Sequence, residues 1–93
     1  MKLVSVTPSN REGKKYVAIF EDPKKTVHFG FKGSQTYLDH HNKDKRANYL
    51  ARHRVNENWD DPSTPGSLSR HLLWGDHTSL KKNISAFKKK FNL

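Results

Sequence analysis

Three of the six histidines, at positions 40, 41 and 53, have residue types and neighbours that could bind a metal ion. The sequence Asp39-His40-His41-Asn42, with His53 downstream, is similar to the patterns of histidine–metal nucleases. Adjacent side chains on a helix point about 100° apart, whereas two ligands of one ion favour a spacing of three or four residues. We therefore expect helix-start and surface histidines, with no metal site and no cofactor.

A second group of residues could support hydrolytic chemistry, because Ser67 and Ser69 lie near His71 and Asp76 in the sequence. A serine nucleophile usually sits on a sharp Gly-x-Ser-x-Gly turn, and no such turn is present. No glycine-rich phosphate-binding loop is present either. The pattern favours serines that cap a helix, and we predict that the protein is not an enzyme.

Two stretches rich in lysine and arginine carry the clearest functional signal. The first has five basic residues and one acid, Asp44, and the second has five lysines and no acid. The acids gather instead at Glu57, Asp60 and Asp61, whereas a surface that only confers solubility usually mixes both signs. One-signed charge of this kind predicts contact with a polyanion. The predicted nucleic-acid-binding residues are Lys43, Lys45, Arg46, Arg52, Arg54, Lys81, Lys82, Lys88, Lys89 and Lys90.

Trp59 and Trp74 could stack on bases or belong to the core. Trp74 directly follows Leu72 and Leu73, which favours the core, whereas Trp59 lies among polar residues and is expected to be more open. The aromatic residues also lack the interleaving with basic residues that an RNA-recognition strand shows.

The N-terminal half has the composition of β-strands. Lys15–Phe20 is rich in β-forming residues, residues 21–24 have turn chemistry, and residues 26–31 alternate in polarity. These features predict a β-hairpin, and Lys2–Val6 is a possible third strand. Three apolar residues of the second hairpin strand share one face by their period of two: Val27, Phe29 and Phe31.

The C-terminal half is predicted to be helical. A first helix begins at about residue 39 or 42 and ends at Arg54, with a weak apolar stripe. A second follows Thr64 as the cap and Pro65 as the first helical residue, and it stops at Gly75. A third begins after residue 78 or 79 and has one continuous apolar stripe made of Leu80, Ile84, Phe87 and Phe91.

The composition limits the class of protein. The 93 residues allow one domain, spanning residues 1–93, and hydrophobic residues make up only 32% of them, so the core must be thin. The net charge of +9 favours polyanionic partners, and the lack of cysteine excludes disulfides and thiolate metal sites. No apolar run approaches the length of a membrane span, and the first residues are too polar for a signal peptide.

Several segments together resemble an uncharacterised family of small basic proteins encoded by large DNA viruses of algae and amoebae. The resemblance covers most of the chain and is carried by Thr26–Gly30, Tyr49–His53, Glu57–Trp59, Pro65–Arg70 and Leu72–Trp74. It implies a viral setting, in the virion or in the interior of the host cell (cytoplasm or nucleus), and it implies no mechanism.

The sequence therefore predicts an α+β domain, with an N-terminal β-hairpin or three-stranded meander packed against two or three C-terminal helices. The expected function is non-enzymatic and largely sequence-independent binding of DNA or RNA, for example in viral genome packaging or handling. One alternative is a structural or adaptor component of a virus particle that contacts other virion proteins. Another is a metal-dependent nuclease. No membrane partner is expected.

Overall fold

A three-stranded antiparallel sheet forms the N-terminal half of the computed structural model, which describes all residues from Met1 to Leu93. The strands are β1 (Lys2–Pro8), β2 (Lys14–Glu21) and β3 (Lys25–Phe31), and they pair in the order β1-β2-β3. The register shifts between Leu3 and Ser5, which leaves Val4 exposed at a bulge. The predicted three-stranded meander is confirmed.

One face of this sheet is apolar because alternate residues of each strand point to the same side. Its buried residues are Leu3, Ala18, Phe20, Val27 and Phe29. Phe31 was expected to continue this face but is 73% exposed. Leu73 from the helical half packs against Gly30, whose φ is +78°, and the run of buried side chains in β3 ends there. Phe31 therefore lies past the part of the sheet that the helices cover.

Two helices follow the sheet, α1 (Tyr37–His40) and α2 (Lys43–Arg54). They are separate because His41 adopts a left-handed conformation, with φ of 52°, and ends α1. The Asn42 side chain then accepts hydrogen bonds from the backbone of Asp44 and Lys45 and caps α2. The first long helix was predicted to begin at about residue 39 or 42, and the later start is correct.

The next helical segment begins at Pro65 and ends before Gly75, as predicted, but part of it is a π-helix and not an α-helix. The Thr64 side chain caps α3 (Pro65–Leu68), which continues as a π-helical segment, Ser69–Leu73. A π-helix bonds residue i to residue i+5, so its wider turn brings residues four and five positions apart to one side. This geometry lets Leu68, Leu72 and Leu73 all be buried together.

The last helix, α4 (Leu80–Phe91), begins after Ser79, whose side chain accepts a hydrogen bond from the backbone of Lys82. Phe87 is buried, and the other three residues of the predicted apolar stripe are half-buried against the core. The core thus lies between one face of the sheet and the helical layer, and the predicted α+β class is confirmed. None of the helices is both long and apolar enough to span a lipid bilayer, since the two longest have twelve residues each.

Candidate functional site

The lysines of α4 lie on its solvent side because the apolar stripe fixes which side faces the core. All five side chains are exposed, and none lies within ion-pair distance of a carboxylate: Lys81, Lys82, Lys88, Lys89 and Lys90. Lys90 also approaches the ring of Phe91, with its Nζ 5.8 Å from the ring centroid. The helix therefore presents a row of positive charges that no acid of the chain neutralises.

Four of the five basic residues predicted on α2 are exposed in the same way: Lys43, Lys45, Arg52 and Arg54. Tyr49 is the only buried residue of this helix. Because only one side chain of this helix is buried, most of the helix surface remains available to a partner.

Arg46, the fifth basic residue predicted on α2, binds within the chain. Its Nε donates to the carbonyl oxygens of Trp74 (3.1 Å) and Gly75 (3.0 Å), and its Nη2 lies 2.7 Å from Oδ1 of Asp76. Its guanidinium also lies 5.5 Å from the centroid of the Tyr37 ring. These contacts tie α2 to the segment that follows the π-helix and leave Arg46 half-buried.

Few of the basic side chains form ion pairs. Of the 18 lysines and arginines, only Lys15 and Arg46 do so, with Asp39 and Asp76 respectively. The backbone of Thr36 bonds to Asp39, and this hydrogen bond is the main reason why the pKa of that carboxyl is lowered. The remaining lysines and arginines lie outside ion-pair distance of a carboxylate, and the net charge of +9 creates a positive field around the molecule.

The acidic cluster after α2 has its own partners. Glu57 accepts hydrogen bonds from Nδ1 of His53 (2.8 Å) and from Nε1 of Trp59 (2.9 Å). Asp61 accepts from the backbone and hydroxyl of Ser63, and these bonds hold the pKa of its carboxyl below the usual value. Glu57 and Asp61 therefore order a loop through these hydrogen bonds.

An aromatic stack connects α2 to the end of the π-helix. The rings of Tyr49 and Trp74 are parallel, with centroids 4.2 Å apart, and His53 stacks on Tyr49 at 4.1 Å. His40 packs against Trp74 at 5.3 Å. Trp74 thus packs against the core as predicted, but it is only half-buried and also borders open space. Burial raises the pKa of the Tyr49 phenol, which stays protonated at neutral pH.

Two adjoining clefts lie beside this stack, with volumes of about 330 and 530 Å³. They adjoin because Gln35, Arg52 and Trp74 line both. We call the two together the groove. The smaller cleft also reaches Lys14 and Phe31 at the end of the sheet, and the larger one reaches Lys45, Asn48 and His40. The groove therefore joins the sheet end to the exposed basic face of α2.

The residues considered for catalysis make structural contacts. Ser67 and Nε2 of His71 both donate to the carbonyl oxygen of Trp59, while Asp76 pairs with Arg46. Nδ1 of His40 accepts a hydrogen bond from the backbone of Asn42. No three His, Asp or Glu side chains come together as a metal-binding group. Ser67 and His71 thus meet at one carbonyl oxygen, where both hydrogens are used in structural hydrogen bonds, and Asp76 binds Arg46 instead.

Phe31, Tyr49 and Gln35 line the smaller cleft, and no sequence signal predicts this. The period of two places Phe31 on the apolar face of β3. Nothing in the local sequence pairs Tyr49 with Trp74, which lies 25 positions later along the chain. Their contact depends on the packing of α2 against the π-helical segment.

Together these features define a small α+β protein with an uncompensated basic surface and a groove lined by basic and aromatic side chains. Residues 4–53, from β1 through most of α2, match the model of a family of unknown function (DUF5754), and the chain belongs to that family. No curated protein and no solved structure matches the chain.

Proposed function

We propose that this protein binds nucleic acid without catalysing a reaction and largely without regard to base sequence. The observation that carries the proposal is the exposure of the α4 lysines and of four basic residues of α2, none of them paired with a carboxylate. Phosphate contacts of this type supply most sequence-independent affinity, because each one releases condensed counterions.

The lysines of the α4 surface are suited to contact the phosphates of a nucleic acid and not to recognise its bases. A lysine ammonium is a flexible point charge, whereas base recognition typically uses bidentate arginine or amide side chains. The α4 surface carries five lysines and no arginine. It is therefore suited to follow a phosphate backbone of any sequence.

The resemblance to virus-encoded proteins extends this proposal to a biological setting. Binding of this kind would serve genome packaging or handling, in the virion or in the cytoplasm or nucleus of the infected cell. Virion proteins with acidic surfaces are the alternative partners, since the same lysines could contact them.

The test is a binding titration with duplex DNA, single-stranded DNA and RNA at about 50 and 200 mM salt, a range over which phosphate contacts lose much of their affinity. In the triple variant Lys88→Gln, Lys89→Gln, Lys90→Gln, each lost phosphate contact should lower the salt slope by roughly 0.9 for duplex DNA. The variant should remain folded, because exposed substitutions usually change the free energy of unfolding by less than about 0.5 kcal/mol each.

The matched control removes the same charge from the turns of the sheet, as Arg11→Gln, Lys24→Gln and Lys32→Gln, where all three side chains are exposed. If only the α4 variant loses nucleic-acid affinity, the α4 lysines form a specific binding surface. If both variants lose affinity equally, binding depends only on the net charge of the protein. Absence of salt-dependent binding by the parent contradicts the proposal and favours the virion-structural alternative. DNA cleavage that EDTA abolishes would favour the nuclease alternative.

A further inference from the structure

Phe31 is the one aromatic side chain that the fold leaves mostly in solvent, with 73% of its surface exposed. It contributes little to the core, and an exposed phenyl ring forgoes the stabilisation that burial would give. It lies at the mouth of the smaller cleft of the groove. Nζ of Lys14, on the neighbouring strand, is 5.6 Å from the centroid of its ring.

Most of the charged side chains that line the groove are positive. Lys14 and Arg52 line the smaller cleft, and Lys45 and Arg52 line the larger one. Glu57 is the one carboxylate in the lining, and its oxygens already accept hydrogen bonds from His53 and Trp59. The lining therefore has a net positive charge, which favours an anionic ligand.

The volumes and the side chains of the groove limit the class of ligand. The volumes of its two clefts fall in the usual range of ligand sites, and their lining combines aromatic side chains with cationic ones. Trp74 already has Tyr49 stacked parallel to its ring and His40 against it. The accessible aromatic face is thus that of Phe31, beside cationic side chains, which is the arrangement that single-strand binders use.

We infer that the groove binds single-stranded nucleic acid, with Phe31 stacked on an unpaired base and with Lys14, Lys45 and Arg52 on the phosphates. This inference rests on the proposed function and specifies that the nucleic acid in the groove is single-stranded. Bases in a duplex are already stacked on one another, so stacking on them costs the energy of separating a base step, whereas an unpaired base is open to stacking. Stacking tolerates any base, because each has a π face, so the site keeps the sequence independence of the rest of the surface.

The experiment compares a labelled oligo(dT) of about 12 nucleotides, within the site size of small single-strand binders, with a blunt duplex that carries the same number of phosphates. Fluorescence anisotropy gives the affinity of each for the parent and for Phe31→Leu. We expect Phe31→Leu to weaken oligo(dT) binding roughly 5- to 150-fold, the equivalent of one lost base stack, and to leave duplex binding unchanged. Phe31→Trp should restore the binding of oligo(dT).

Val55 provides the matched control, because it is equally exposed, at 76%, and lines neither cleft. Val55→Ala should bind both probes as the parent does. Lys14→Gln and Arg52→Gln should each lower the salt slope for oligo(dT) by roughly 0.7. Thermal melts of all variants confirm that the fold is intact.

The outcomes separate this inference from the proposed function. If Phe31→Leu binds oligo(dT) like the parent, or if it loses both probes equally, the single-strand site is wrong while binding through the lysines stands. If the parent binds neither probe at low salt, both proposals are wrong. Selective loss with rescue by Phe31→Trp supports the site, since a purely structural role of residue 31 would change the melting temperature as well.

Discussion

Among single residues, Asn83 is a buried polar side chain of α4 that the apolar pattern of this helix does not predict. It is 1% exposed, and its amide nitrogen donates to the carbonyl oxygens of Leu72 (3.0 Å) and His77 (2.9 Å). Its Oδ1 accepts from the backbone nitrogen of His77 at 3.0 Å. One side chain thus satisfies three backbone groups in the turn that joins the π-helix to α4.

Replacing this amide tests its structural role. Asn83→Ala leaves the Leu72 carbonyl and both backbone groups of His77 without this partner. The buried Leu72 carbonyl would be left unsatisfied, whereas the exposed His77 can bond to water, so we expect the free energy of unfolding to fall by about 1–3 kcal/mol. Urea denaturation measures this change. Ser85→Ala, on the exposed side of the same helix, is the control, and equal stability of the two variants would contradict the role of Asn83.

His71 couples folding to pH. Burial is the main reason why its pKa is lowered, and the nearby charges of Arg70 and Lys90 lower it further, against the opposing hydrogen bond to the Trp59 carbonyl. The folded state therefore binds fewer protons than the unfolded state just below the unperturbed pKa of about 6.5. His71 therefore contributes to the free energy of unfolding above about pH 6.5, and this contribution is lost as the pH falls toward the lower pKa that His71 has in the folded state.

The measurement is the free energy of unfolding in urea at about pH 7.5 and pH 5, on either side of the unperturbed histidine pKa. We expect a decrease at the lower pH and a smaller decrease in His71→Gln. The amide of glutamine can still donate toward the Trp59 carbonyl, but it does not titrate. The exposed His77→Gln variant, which retains His71, is the control. A decrease of the same size in His71→Gln as in the parent would contradict this assignment.

At the scale of elements, Arg46 is the connection between α2 and the turn at residues 74–76. It makes two hydrogen bonds to carbonyl oxygens and one ion pair, and each uses the planar shape of the guanidinium. Gly75 is required in the same turn, because a Cβ there would lie 2.3 Å from the carbonyl oxygen of His71. The turn is thus held from α2, from α4 through Asn83 and from the π-helix itself.

Arg46→Lys should not preserve this connection, since one ammonium cannot reach both carbonyls and the carboxylate with the same geometry. We expect a loss of about 2–3 kcal/mol in the free energy of unfolding, similar to that of Arg46→Gln. Chemical denaturation gives the values. Arg54→Lys, at an exposed position of the same helix, should change stability by less than about 0.5 kcal/mol. Full stability of Arg46→Lys would show that charge alone is sufficient.

At the scale of the whole molecule, the charge distribution opposes folding. The chain has 18 lysines and arginines against nine acids, and only two of these cations form ion pairs, so like charges repel within a compact body whose radius of gyration is 12.5 Å. Salt screens such repulsion. The same salt weakens binding to phosphates, so stability and affinity should respond to it in opposite directions.

We therefore expect the melting temperature to rise when sodium chloride is raised from low concentration to about 0.5 M, where the screening length is only several ångströms. The rise should be about 4–8 °C if screening contributes about 1 kcal/mol. Circular dichroism melts measure it. The variant with Lys88, Lys89 and Lys90 changed to Gln carries three fewer charges and should show a smaller rise. A fall in melting temperature with salt would mean that ion pairs dominate instead.

Features that depend on neighbours along the chain could be predicted from the sequence. Thr64 and Pro65 mark the start of α3, the start of α4 was predicted after Thr78 or Ser79, and the apolar period of α4 determines which side its lysines occupy. Strand alternation identified the sheet, and the +9 charge identified the kind of partner to propose. These signals are local or summed over the chain, so no packing information is needed to find them.

The contacts between side chains that are far apart in the sequence could be seen only in the folded structure. Arg46 binds a turn about 30 residues away, Tyr49 stacks on Trp74, and Phe31 lies in solvent just beyond Gly30, against which Leu73 packs. The apolar pattern of the sequence also does not predict the wider turn of the π-helical segment. Each of these features depends on contacts between segments far apart in sequence, whose geometry follows from how the whole core packs and not from the preference of any one segment.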